Sequence, residues 1–475
     1  MPDHDVAIIG AGAAGLSVAA IAASLGRSVV LFERDRMGGA CLNTGCVPTQ
    51  ALLAAARRAA ALRGGARLGV EARDVAVDWP AVRAHVRQAI AQAAPQFSEE
   101  RLRAQGVTVV RASAHFVAPD RIEAAGRTYG FRRAVIATGR APLVPDLPGL
   151  VNLPWLTGET LLDLEEAPRH LLVLGGGATG AEMAQAHARL GCRVTLIELR
   201  PNILADEDAE MRLPVREALR RDGVEVLENT QVVDAERAGD GVALRLDSGA
   251  LVQGSHLFFA MGHAPRLAAL DLAAAGIEAT PRGVAVGRDL RSPGNRRVWA
   301  AGAVADPEGL GPRGQAHAAA LHARVVARGM LHRLPARLEH DALPRIVHTT
   351  PELAQLGMTE AEARAAGHAV RVARQPFSGN LRAIAEGETE GQVKLVLDGA
   401  GRLLGAGIVG HGAAEVAATL GLMMGRKLPL SALAEAVLPT ATRAEAARQA
   451  ALAFSTPQPA GSLARFWSGL VTRLR

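Results

Sequence analysis

Two stretches of this chain superimpose without a gap at an offset of 165 residues. The first, DVAIIGAGAAGLSVAAIAASLGRSVVLFER, begins at Asp5, and the second, HLLVLGGGATGAEMAQAHARLGCRVTLIEL, begins at His170. Gly10, Gly12 and Gly15 fall on Gly175, Gly177 and Gly180, and Glu33 falls on Glu198. Each copy reads as an apolar strand, a glycine turn, an amphipathic helix, a second strand and an acid. The first glycine permits the tight turn, the second lets the backbone approach a pyrophosphate, and the third lets helix and strand pack closely. The helix N-terminus offers unpaired N–H groups to phosphates, and the acid accepts from a ribose hydroxyl. One such fingerprint is weak evidence of a dinucleotide site; two complete copies are strong. The expected fold class is α/β, with two Rossmann-like dinucleotide-binding domains. Two such cofactors in one chain imply that one delivers hydride and the other receives it.

The stretch MGGACLNTGCVPTQ, residues 37–50, holds two of the three cysteines, Cys41 and Cys46. Val47-Pro48 marks a helix start, and the alanine-rich run after it carries the helix onward. A thiolate near that start is stabilised by the helix dipole, which lowers its pKa and raises its reactivity. The opening residues enter a strand at once, without the basic and apolar regions of a signal peptide. No run of about 18 uncharged apolar residues exists to span a membrane, so a cytoplasmic location is expected. In such a chain a close cysteine pair is redox-active or metal-binding more often than a structural staple. Two cysteines on one turn can close a small, reducible disulfide. Two thiolates lack the further Cys or His ligands of a zinc site, and no metal is expected. Cys192, at the entry of a predicted strand, reads as a core residue.

The net charge is +6, yet Lys394 and Lys427 are the only lysines among 53 basic side chains, and Tyr129 is the only tyrosine. Scattered charge without an aromatic stacking platform argues against nucleic acid as a partner.

With these residues in place, the chain resembles the flavin-dependent pyridine nucleotide–disulfide oxidoreductases, the family of dihydrolipoamide dehydrogenase, glutathione reductase and mercuric reductase. GGACLNTGCVPTQ matches the family's GGxCLNxGCxPSK until its last two residues. AVIATGRAP (134–142), VWAAGAVAD (298–306), GPRGQAHAAA (311–320) and VHTTPELAQLGMTEAEA (347–363) extend the match over nearly the whole length. The resemblance implies an FAD domain over 1–145 and 268–340, an NAD(P) domain over 146–267, and an α+β dimerisation domain over 341–455 that makes a homodimer. It implies that Cys41 exchanges with substrate and that Cys46 faces the flavin. It also implies cofactor contacts at Gly10, Gly12, Gly15, Glu33, Gly39, Gln50, Ala114, Thr138, Gly139, Gly302, Ala303 and His317, and at Gly175, Gly177, Gly180, Glu182, Glu198 and Gly262.

Four departures qualify that picture. The family's lysine after Pro-Ser is Gln50, although its glutamate partner is kept as Glu182. The family's Gly-Asp, whose aspartate binds the flavin ribityl chain, reads Gly302-Ala303. The family's His-Pro-Thr-x-x-Glu reads LPTATRAEAARQAA (438–451), which puts Glu445 in place and Thr440 where the acid–base histidine belongs. Threonine cannot shuttle a proton near neutral pH. The family's Gly-Arg-x-Pro-Asn reads GHAPR (262–266).

The reading that follows is an enzyme that passes electrons from a nicotinamide through FAD to a Cys41–Cys46 disulfide. From there they pass to a small-molecule or protein disulfide, or another thiophilic acceptor. Glu198 repels a 2′-phosphate and so favours NADH over NADPH. Mercuric reductase-like metal reduction is the runner-up, and a degenerate scaffold with little redox activity is the reading from another class. After residue 461 the chain ends SLARFWSGLVTRLR. Its apolar residues recur at helical spacing among arginines, so residues 462–475 suggest a basic helix for a membrane surface at the inner face, or for the dimer itself.

Overall fold

The computed structural model of the chain describes residues 2–455, and the basic stretch 462–475 lies outside them. Two compact units are present. One comprises the described residues up to Ala205 together with Arg216–His340; the other comprises Asp206–Val215 and the described residues from Asp341 onward.

The first unit holds two parallel sheets. In one, Val107–Val110, Val29–Phe32, His4–Ile9 and Arg127–Ile136 lie in that order, and Val298–Ala300 adds to the last of them. These strands are near-continuous apolar runs because both faces are covered: Val6–Ile9 and Val29–Phe32 are buried throughout. Arg127–Ile136 also continues antiparallel into Arg121–Ala124 and Ala114–Ala118. In the other sheet the order is Val224–Leu227, Arg193–Ile197, His170–Leu174, His256–Phe259 and Trp155–Leu156, all parallel. A three-stranded antiparallel sheet, Val232–Ala238, Gly241–Leu246 and Leu251–Gly254, packs Ala235, Val242 and Leu244 into the same core as Leu172 and Leu257. The two chain segments between these halves pair with each other, Arg140–Pro142 against His263–Pro265.

Each parallel sheet carries one of the glycine-turn helices, Ala13–Ser24 and Ala178–Arg189, directly after its central strand. The expected pair of Rossmann-like halves is what the chain forms.

The second unit is an antiparallel sheet in the order Arg345–Val347, Glu352–Gly357, Leu403–Gly410, Gln392–Leu397, Arg371–Pro376. Helices Ala413–Gly425 and Ala444–Ser455 bury their alanine, valine and leucine faces against it. Within this unit the Lys394 side chain, 3% exposed, meets Asp208 at 2.9 Å, Glu210 at 2.7 Å and Glu360 at 2.9 Å. That buried cation holds the segment Asp206–Val215 inside the second unit.

Candidate functional site

The two glycine turns are the same object built twice. Gly10 has φ +107 and Gly175 φ +105, a backbone region that side chains avoid. A Cβ on Gly15 would lie 1.9 Å from the Gly10 carbonyl oxygen, and one on Gly180 would lie 1.8 Å from that of Gly175. The acids are held in the same way. Ala11 donates its amide proton to Glu33 Oε2 at 2.7 Å, and Gly176 donates to Glu198 Oε2 at 2.6 Å. Asp35 donates to Glu33 Oε1 and Arg200 to Glu198 Oε1, each at 2.8 Å. Both carboxylates are fixed by main-chain donors at the end of the second strand. In each copy the helix follows at once, with Gly12 and Gly177 as its extended N-cap.

Around the first turn lies a cavity of about 320 Å³. Gly10, Glu33, Ala114 and Thr138 line it together. Gly39 closes on the first turn from outside, since a Cβ there would lie 2.7 Å from the Gly12 Cα. Gly139 accepts the Arg266 amide proton, and Gly262 accepts that of Leu143. Buried Gly302 and half-buried Ala303 form a turn after Val298–Ala300, and His317 is exposed at the start of the helix Ala316–Val326. A glycine cradle, an open helix N-terminus and a fixed acid around one cavity fit the adenosine and pyrophosphate of a dinucleotide.

Cys41 lies in the short helix Gly39–Asn43, and Cys46 begins the helix Cys46–Arg63. Both are thiols. Cys41 donates a hydrogen bond to Cys46, the exposed member of the pair, and brings the Cys46 thiol down to about 7. The same bond, with burial, pushes Cys41 far up. Two sulfurs in hydrogen-bond contact, one a ready thiolate, can close a disulfide and reopen it. Gln50 is half-buried on the second turn of that helix, and Glu182 is buried on the helix Ala178–Arg189 packed beside it. Cys192 is buried and its thiol is pushed up to about 11 by burial, which suits a core residue.

In the second unit, Thr440 and Glu445 line a separate cavity of about 350 Å³ with Asn380, Arg448 and Gln449. Glu445 is bound at both oxygens by Arg448, whose Nε donates to Oε2 at 2.8 Å and whose second nitrogen reaches Oε1. That guanidinium holds the carboxyl below its usual range. Neither His348 nor His411 lines the cavity.

Two residues escaped sequence reasoning. Arg266 lines the first cavity, accepts from Thr138 Oγ1 through its carbonyl at 2.9 Å, and ion-pairs with Glu159. The signal was present in GHAPR, where the arginine stands three residues later than in the family pattern. Arg448 had no signal beyond its spacing of three from Glu445.

Residues 4–323 match the model of the pyridine nucleotide-disulphide oxidoreductases, and residues 343–451 match the dimerisation domain of the same family. A mercuric reductase of Streptomyces lividans is 35% identical over 466 residues, spanning 95% of this chain and 96% of the relative. A dihydrolipoyl dehydrogenase of Thermus scotoductus is 36% identical over 440 residues, spanning 90% of this chain and 92% of the relative. Among solved structures, LpdA of Mycobacterium tuberculosis superimposes with a TM-score of 0.86 at 26% identity, covering 95% of this chain and all of that one. A Cu(II) complex of the HOCl-induced flavoprotein disulfide reductase RclA of Escherichia coli superimposes with a TM-score of 0.83 at 26% identity, covering 94% and 99%.

Proposed function

The chain belongs to the pyridine nucleotide-disulphide oxidoreductases, and from that premise we propose that Cys41 and Cys46 are its dithiol relay, with Cys46 as the thiolate that meets the flavin. The chain is an FAD-dependent oxidoreductase of the disulfide reductase type, and its dimerisation domain implies a homodimer. The observation that carries the assignment is the hydrogen bond from Cys41 that brings Cys46 down to about 7. It leaves one sulfur charged and the other protonated near neutral pH.

Gly10, Gly12, Gly15 and Glu33 would hold FAD in the first cradle, and Gly175, Gly177, Gly180 and Glu198 the nicotinamide dinucleotide in the second. Bound FAD supplies the means to turn a hydride from the nicotinamide into an electron pair for the Cys41–Cys46 disulfide. The chain's own residues do the rest. Reduction of the disulfide would leave a Cys46 thiolate and a Cys41 thiol. Cys41 passes its proton along their hydrogen bond to Cys46, attacks a disulfide acceptor and releases one thiolate. Cys46, giving up that proton to it, then attacks Cys41 to re-form the disulfide and release the second. Glu198 supports NADH as the donor. Its carboxylate is 6% exposed, and Arg200, the nearest candidate for a 2′-phosphate, turns its Nε to within 3.5 Å of Glu198.

The acceptor reading rests on the second cavity. Thr440 neither gives nor takes a proton near neutral pH, and Arg448 grips Glu445 at both oxygens. Such a site suits an acceptor that asks for little acid catalysis: a disulfide with a good leaving thiol, a quinone or a thiophilic metal ion. The metal ion is the second reading, favoured by that same lack of an acid–base group and by the mercuric reductase among the relatives. Contact of residues 462–475 with an anionic membrane rests on sequence pattern alone, and flotation with anionic vesicles tests it.

The visible spectrum of the purified protein, before and after anaerobic NADH, tests the central claim. A flavin spectrum that gains a long-wavelength thiolate–flavin band on reduction is expected. A colourless protein that takes up no added FAD overturns it.

A further inference from the structure

Ala303 stands where a carboxylate would hold the ribityl chain, yet the turn that carries it is tied down from behind. Gly302 donates its amide proton to His322 Nδ1 at 3.1 Å. His322 lies on the helix Ala316–Val326 with no exposed surface, and its Nε2 is 3.4 Å from Nε2 of His340, itself 8% exposed. The two ring planes are 6° apart. Gly302 has φ +77, and a Cβ there would come within 3.1 Å of the Ala14 Cβ on the first glycine-turn helix. The turn thus joins the helix whose N-terminus serves the pyrophosphate to a pair of buried histidines.

These contacts fix the protons. The Gly302 N–H requires a lone pair on Nδ1, so neutral His322 carries its hydrogen on Nε2. That hydrogen points at His340 Nε2, which accepts it, and His340 then carries its own hydrogen on Nδ1. A metal ion between the rings is ruled out on the same ground: a ligating imidazole donates from its other nitrogen, and Nδ1 of His322 accepts. Burial, with the charge of His340, brings His322 from 6.5 down to about 4. Among the described residues, His340 is the one titratable group whose charge acts on it; the turn offers only Gly302, Ala303 and Val304, and the helix Ala13–Ser24 meets that turn through Ala14.

We propose that His322 is a positioning residue for the flavin: neutral and paired with His340, it holds the Gly302–Ala303 turn in its cofactor-binding shape, and protonation of the pair weakens FAD retention. The inference rests on the FAD reading above. A proton on Nδ1 would set one N–H against another and break the bond to Gly302. Because the held value lies below the ordinary one, the hold is complete above about 6.5, weakens progressively as pH falls below it, and is fully lost below about 4.

The holoprotein tests this without any turnover. FAD affinity is measured by flavin fluorescence at about pH 7.5 and about pH 5, inside the range where an imidazole titrates. Wild type is expected to bind roughly tenfold or more weakly at the lower pH. In His322→Asn the side-chain oxygen stands near the Nδ1 position and does not titrate, so FAD should be held at both pH values. His322→Leu leaves the Gly302 amide unmet and should bind roughly tenfold more weakly at the higher pH, with little further loss on acidification. Equal pH responses in wild type and His322→Asn overturn the proposal, as does wild-type affinity in His322→Leu. If the leucine variant does not fold, the asparagine variant decides. A wild type that takes up no FAD at either pH sinks the flavin reading itself, a result distinct from FAD bound with no pH response.

Discussion

Glu445 gives both carboxylate oxygens to one guanidinium, that of Arg448 three residues on. A glutamate so held is turned toward its own helix and keeps only its remaining lone pairs for a base. Restoring a histidine at Thr440 alone should therefore gain little. Thr440→His is expected to raise turnover of lipoamide or glutathione disulfide by less than about tenfold. Thr440→His with Arg448→Gln should recover more, toward the roughly 10²–10⁴-fold worth of a positioned acid–base. Steady-state kinetics of the two variants checks this; equal gains would show that Arg448 does not restrain Glu445.

The thiolate at Cys46 depends on Cys41. With the hydrogen bond in place Cys46 titrates near 7, and without it the value should move toward 9. In the reduced protein, thiolate absorbance followed against pH should show a transition near 7, with the thiolate present above it and lost below. Cys41→Ala should shift that transition upward. An unmoved transition would mean that the helix start, not Cys41, sets the value.

Ala303 leaves room for the carboxylate that the family pattern carries. Ala303→Asp should add a charge-assisted hydrogen bond of about 1.5–3 kcal/mol, and so tighten FAD by about ten- to a hundredfold. Fluorescence titration of the apoprotein reads it directly. A variant no tighter than wild type would show that the turn does not face the ribityl chain.

Glu198 is anchored by Gly176 and Arg200. Glu198→Ala should cost NADH roughly tenfold in kcat/KM and shift the NADH:NADPH ratio toward NADPH. An unchanged ratio would place the ribose elsewhere.

Lys394 serves Asp208, Glu210 and Glu360 while almost sealed from solvent. Removing one partner of a buried ionic cluster costs about 3–5 kcal/mol, so Lys394→Met should lower the unfolding transition of the second unit. Lys394→Arg should also destabilise, because a planar fork cannot meet three carboxylates placed around a point charge. Arg374, with help from Lys394, brings Glu210 down to about 2 from 4.5. Its contribution is present above 4.5 and is lost as pH falls through about 2. Denaturant melts of the variants across acid pH check both points.

The duplicated glycine turns were legible in the sequence because their constraints are local. Gly15 cannot be another residue when the Gly10 carbonyl stands 1.9 Å from its would-be Cβ. The helix start beside Cys46 was legible for the same reason, since Pro48 marks it locally, whereas the separate short helix Gly39–Asn43 that carries Cys41 was not. Arg448 and His322 were not. Each matters through a partner that only packing supplies: the bidentate grip on Glu445 in one case, the Gly302 amide in the other. The capture of Asp206–Val215 by the second unit was equally hidden, since it depends on Lys394, 184 residues away from Glu210.

The sealed Lys394 has a practical side. The chain uses arginine almost everywhere, and its only other lysine, Lys427, is exposed. An amine-reactive dye applied to the folded protein finds one exposed lysine, just after the helix Ala413–Gly425, and a lysine-specific protease finds one exposed cleavage point. Labelling at Lys394 would then report opening of the second unit, a clock for its unfolding that needs no engineered probe.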